Sequence, residues 1–143
     1  MKMESRFIEI YYPDISITLT ARLLDELNKD LCDLLWSNLP IESIQSHLMS
    51  SGQAMYLPHR IIALVKTNTD LLSRVPVGTI GMSTIDYKNL TIYYGKVTES
   101  LPVSPVGRIQ EDDLENLKRV GSEVWRANYY THYPIKVIVR RKE

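Results

Sequence analysis

The chain has 143 residues, 44% of them apolar and 24% charged, a length and balance that fit one domain, residues 1–143, with a sizeable core. Seventeen Lys and Arg side chains balance seventeen Asp and Glu, which excludes a global field that would draw the chain to nucleic acid or anionic lipid. A single cysteine, Cys32, excludes an internal disulfide framework and predicts a reducing, cytoplasmic setting.

In chain order, Phe7 to Tyr12 is apolar and aromatic, and Pro13-Asp14 punctuates it. Ile15-Ser16-Ile17-Thr18-Leu19-Thr20 alternates strictly and predicts a half-buried strand that runs on to Leu24. Pro13-Asp14 makes a hairpin the natural connection. Asn28-Lys29-Asp30 breaks the pattern. Asp30 is then the expected N-cap of a short helix over Leu31 to Asn38, which buries Leu31, Leu34 and Leu35 and stops at Pro40. Ser43 to Met49 and Gln53 to Leu57 read as two short strands around Ser50-Ser51-Gly52. Gln45, His47 and Met49 share one face of the first, and Ile44, Ser46 and Leu48 the other.

Ile61 to Lys66 reads as a continuous apolar strand, and Thr67 to Val75 as a loop or one helical turn. Gly78 to Ile85 and Leu90 to Gly95 are predicted strands, joined by a turn at Asp86-Tyr87-Lys88-Asn89. Val106 to Ile109 is a further short strand. A helix capped by Glu111 or Asp112 carries Leu114, Leu117 and Val120 on one face, with Gly121 at its C′ position. Val124-Trp125 is expected to pair briefly, with Trp125 as a core plug. Tyr129 to Tyr133 reads as a loop over one end, and Ile135 to Val139 closes the sheet. The fold class is therefore mainly β: a closed barrel of about eight strands with two short helices. Its wager is that Ile15–Leu19, Ile61–Val65 and Ile135–Val139 are neighbouring strands of one barrel. No window is apolar enough to span a membrane, and residues 1–6 are too short and polar for a secretory signal.

Chemistry-bearing residues are sparse. His47 lies on the Gln45/His47/Met49 face of its strand beside a glycine turn, where a near-neutral imidazole can move protons both ways. Arg60, after Pro58-His59, has the fork geometry that clamps a carboxylate. Tyr93 and Tyr94 are adjacent, so one points in and one out. The outward one beside Lys96 would form an amphipathic wall. Three histidines and one cysteine share no ligand spacing, so no metal site is expected. Cys32 sits between Asp30 and Asp33, which oppose thiolate formation. There is no P-loop and no Rossmann glycine pattern.

The opening hairpin, the early helix and the run "LTIYYGKV…PVSPVGRI" leading to a helix and last strand resemble the cyclophilin-like superfamily, in particular its small bacterial members. The phrase "IYYPDISITLTARLL…LCDLLWSNLPIESIQSH…SGQAMY" resembles the N-terminal domain of cucumopine and mikimopine synthases. That second resemblance implies an opine-synthase-like enzyme that joins histidine to 2-oxoglutarate by a Pictet–Spengler-type cyclisation, with no cofactor. The strand Ser43 to His47 carries no arginine where cyclophilins place theirs, so prolyl isomerase activity is not expected. On strand facing and residue type, His47 is the expected proton-transfer residue, and Gln53, Arg60, Tyr94 and Lys96 are expected to orient substrate. The expected partner is a small amino acid and keto acid, with a homo-oligomer open. The alternative is a non-catalytic domain that binds a small molecule or peptide.

Overall fold

The computed structural model describes residues 4–62, 65, 67–71, 74–83, 88–98 and 102–143. Among them, ten strands and two helices follow in order: β1 (Phe7–Tyr12), β2 (Ile17–Leu23), α1 (Asp25–Ser37), β3 (Ile41–His47), β4 (Gly52–Pro58), β5 (Asp70–Leu71), β6 (Thr79–Ser83), β7 (Asn89–Val97), β8 (Pro102–Val103), β9 (Pro105–Ile109), α2 (Leu114–Arg126) and β10 (Ile135–Arg141). Eight of the strands close into an antiparallel barrel in the order β1-β10-β3-β4-β7-β6-β9-β2. β5 and β8 form a separate pair. Closure leaves the barrel ladder no free edge, which is how such apolar strands avoid pairing with other chains.

Period-2 alternation sets which side chains enter the barrel. Ile8, Ile10 and Tyr12 on β1, Leu19, Ala21 and Leu23 on β2, and Val137 and Val139 on β10 are all buried. Opposite them, Met55, Leu57, Ile80, Leu90, Ile92 and Val106 complete the interior. α2 packs against β2, β3, β4 and β7. Those strands lie on different sides of the ring, so the helix covers one mouth. Its apolar face contributes Leu117, Val120 and Val124, all fully buried.

Several expectations are revised. β2 begins at Ile17, because Pro13–Ile15 form a 3-10 turn that ends on Ser16 at φ 54°. α1 starts six residues before Leu31, and the break at Asn28-Lys29-Asp30 is a kink inside it. Asn28 leaves the helical region at φ −141° and ψ 66°. Its buried amide donates to Pro105 O at 2.8 Å and to Asn68 O at 3.0 Å, and accepts the Asn68 N–H at 2.6 Å. These bonds replace the helical ones that the kink gives up.

The apolar run Ile61 to Lys66 is not a barrel strand where it is described: Ile61, Ile62 and Val65 lie in no strand, and residues 63, 64 and 66 fall outside the described residues. Ile61 tucks into the core while Ile62 is 70% exposed. The wagered neighbours also differ, since β2 and β10 flank β1 on opposite sides. β6 is described only to Ser83; of the turn expected at 86–89, residues 86 and 87 lie outside the described residues and Asn89 already belongs to β7.

Gly121 is not a helix stop. α2 runs through it to Arg126, takes in Val124 and Trp125, and continues as a π-helical turn over Ala127–Thr131. Among the described residues, no helix is long and apolar enough to cross a membrane.

Candidate functional site

Two polar side chains, Gln45 and His47, interrupt the apolar barrel lining on β3, and both are buried. They share a face because they are two residues apart on one strand. Tyr12 donates its hydroxyl to Gln45 Oε1 at 2.7 Å. Burial pushes that phenol's pKa far up, so it stays a neutral donor. Among the described residues, Gln45 Nε2 finds no hydrogen-bond acceptor.

His47 is held at three points. Its backbone N–H donates to Asn128 Oδ1 at 2.9 Å. Its Nδ1 lies 2.7 Å from Leu48 O. A carbonyl only accepts, so Nδ1 carries the proton. In the neutral ring Nε2 then accepts, and Tyr94 donates its hydroxyl there at 2.6 Å. Burial lowers the His47 pKa from 6.5 and outweighs the opposing Leu48 bond. Burial likewise raises the Tyr94 phenol above 10.0. Near neutral pH the pair is uncharged: a phenol O–H aimed at a basic imidazole nitrogen.

α2 supplies the other wall. Residues four apart on a helix share a face, and Gly121, Trp125 and Tyr129 form such a stripe. The Tyr94 ring lies against Gly121, where an added Cβ would stand 2.6 Å from Tyr94 Cε1 and closer still to Cζ and Cε2. Only glycine allows that approach. Trp125 meets His47 edge-on, with ring centroids 4.8 Å apart at 81°. Tyr129 packs on Trp125 at 4.3 Å. The His47 imidazole is thus boxed between Tyr94, at 5.6 Å and 79°, and an indole that is itself 39% exposed.

Of the residues singled out from sequence, the structure brings His47 and Tyr94 into direct contact. Tyr94 is the inward one of the tyrosine pair. Tyr93 is buried too, outside the main core, in a small cluster with Ala54. Gln53 and Lys96 are exposed and meet each other: Gln53 Oε1 accepts the Lys96 backbone N–H at 2.9 Å. They lie where β4 and β7 shift register, between Gly52 and Ala54. Arg60 is not brought to His47. It lines a groove of about 930 Å³ with Ile41, Ser43, Pro58, His59 and Lys136, at the start of β3, whereas His47 ends that strand. The length of the strand separates the two. A second concavity, of about 490 Å³, lies between Thr20, Asp113 and Lys142. Neither contains His47 or Tyr94.

Cys32 is fully buried and donates its thiol to Val106 O at 3.4 Å. Burial, with Asp25 adding to it, pushes its pKa up to about 12. His132 is exposed and ends the π-helical turn at φ 59°. Asn128 and Trp125 were not legible as neighbours of His47. The signal lay in the spacing of Gly121, Trp125 and Tyr129, which has meaning only once the helix is carried past Gly121.

The molecule is thus a closed eight-stranded antiparallel barrel whose mouth helix carries the walls of a buried His–Tyr pair. No family model and no curated protein matches the chain. Among solved structures it is similar to McbB in complex with tryptophan, with a TM-score of 0.87 and 35% identity over 94% of this chain. The chain spans 44% of the length of McbB. It also superposes on the hypothetical protein AF2241 from Archaeoglobus fulgidus, whose solution structure gives a TM-score of 0.63 at 15% identity. That match covers 99% of this chain and all of the other, and it speaks to the fold alone.

Proposed function

We propose that the chain is an amino-acid-condensing domain of Pictet–Spengler type, acting at the barrel mouth around His47 and Tyr94. The observation that carries this reading is the likeness to McbB, which binds tryptophan, together with a neutral His–Tyr pair at the mouth. The opine-synthase resemblance leads to the same chemistry. Its finer form takes histidine as the amine and 2-oxoglutarate as the carbonyl partner.

In this reading the amine adds to the carbonyl and expels water to give an iminium. A ring carbon of the side chain attacks the iminium carbon and forms the new C–C bond. Loss of the proton on that ring carbon restores aromaticity. His47 Nε2 takes that proton, with the Tyr94 hydroxyl passing it inward, because a neutral imidazole can accept near pH 7. Gln53 and Lys96, at the register shift between β4 and β7, are assigned to orient substrate carboxylates. Arg60, in the groove at the start of β3, is left out of this reading. The test is mass spectrometry of incubations with histidine or tryptophan and a keto acid, without nicotinamide. An adduct at the summed mass less water, above the uncatalysed rate and reduced in His47→Gln, supports the proposal. Background-level product from every pair overturns it.

A second reading has its own observation. Both ring nitrogens of His47 are already engaged, which suits a domain that binds a small molecule without turning it over. Ligand-induced thermal stabilisation with no product would favour it.

A further inference from the structure

We infer that Trp125 and Tyr129 form the recognition surface for the flat, π-rich side chain of an amino acid ligand, and so set the substrate class. This deepens the condensing reading and rests on it for the location of the site.

Trp125 is one of the largest apolar side chains, sits beside the buried pair, and still leaves 39% of its surface exposed. Helices that cover barrels bury such residues; here Gly121, four residues earlier, takes the inward position. The chain beyond Trp125 winds into a π-helical turn over Ala127–Thr131, and single π turns recur at functional sites. That turn does two things at once. It presents Asn128 to the backbone N–H of His47 at 2.9 Å, and it lays Tyr129 on Trp125 at 4.3 Å and 46°. One turn of chain therefore fixes the imidazole and the aromatic wall relative to each other.

Rings of this kind attract other rings through offset and edge-on contacts, at low entropic cost because each has only two side-chain torsions. A small aliphatic side chain cannot use that surface. The ligand class is therefore an amino acid carrying indole, imidazole or phenyl. An indole or imidazole docked here would hold its reactive ring carbon beside the His47–Tyr94 pair, as the cyclisation requires.

The test is saturation-transfer NMR and calorimetry of the chain with L-tryptophan, L-histidine and L-alanine. The wild type is expected to bind the first two and not the third. Trp125→Ala is expected to weaken tryptophan binding by about tenfold or more, the loss of roughly one stacked ring, and Trp125→Phe to restore most of it. Tyr129→Leu, which leaves the indole in place, is expected to show a smaller loss. Unchanged thermal unfolding of each variant verifies that the fold survives. Tryptophan binding by Trp125→Ala within twofold of wild type overturns the inference, as does absence of tryptophan binding by the wild type. Binding that depends on Trp125, with no adduct from any amino acid and keto acid, sinks the catalytic reading and leaves the recognition surface standing. Turnover that persists with unchanged KM in Trp125→Ala does the reverse.

Discussion

Replacing Gly121 by alanine should destabilise the protein, although the same change inside a helix ordinarily does the opposite. Alanine is favoured over glycine in a helix by about 1 kcal/mol. Here the new methyl would stand 2.6 Å from Tyr94 Cε1, whereas carbon atoms rest about 3.5–4.0 Å apart. The ring must retreat by about 1 Å or the helix must lift off the barrel. Overpacking of this kind costs about 1–3 kcal/mol. Retreat of the ring also breaks the 2.6 Å bond from Tyr94 to His47, for about 1 kcal/mol more. Set against the helix gain, the net loss is about 1–3 kcal/mol. Urea unfolding followed by far-UV circular dichroism reads it as a midpoint lowered by about 0.5–1.5 M for an m value near 2 kcal/mol/M. In a Tyr94→Ala background the obstacle is gone, and Gly121→Ala should then stabilise by up to about 1 kcal/mol. If Gly121→Ala is as stable as wild type, or costs the same in both backgrounds, the packing argument is wrong.

Three further outcomes follow from the same contacts. Tyr94→Phe should cost about 1–3 kcal/mol in urea unfolding, because it leaves a buried imidazole nitrogen without a donor. Stability should fall on acidification below pH 6.5, because His47 and His59 both titrate lower in the folded chain than the ordinary value of 6.5. In that window the unfolded chain binds more protons than the folded one, so the stability present above 6.5 drains away as pH drops towards the folded pKa values. Unfolding midpoints across about pH 7.5 to 5.5 should show it, and His47→Gln or His59→Gln should flatten the slope. A midpoint that rises on acidification would contradict the assignment. Cys32 should react with a thiol reagent at pH 8 only as fast as the chain opens, since its pKa stands near 12 and the side chain is fully covered. Immediate stoichiometric labelling in native buffer would show otherwise.

Much of the architecture was legible because strand alternation is a local signal. Ile17, Leu19, Ala21 and Leu23 announce their facing, and so do Ile135, Val137 and Val139. The same parity put His47 on one face with Gln45, and only the structure shows that face to be the inner one. Other features depended on distant residues. Gly121 reads as a stop until the Tyr94 ring, from another element, explains why no side chain fits there. Parity shows that Tyr93 and Tyr94 diverge, and cannot say which enters the barrel when both end up buried. Ile61 and Ile62 look like strand residues by composition, yet one fills the core and the other faces solvent. Arg60 looked like a carboxylate clamp by residue type, and its groove lies at the other end of β3 from His47. The mouth wall of Trp125, Asn128 and Tyr129 was hidden by the helix boundary, which local propensity marks poorly.

Closing the ring makes the first strand wait for the last. Ile8 faces Arg141 and Tyr11 faces Ile138 across β1 and β10, pairings that span nearly the whole chain. Contacts so remote in sequence form late and slow the search. During synthesis β1 can zip onto β2 at once, but its other flank stays bare until β10 emerges. Shortening the last strand would therefore open two ladders together, those of β1 and β3, and turn a sealed cylinder into a sheet with adhesive margins.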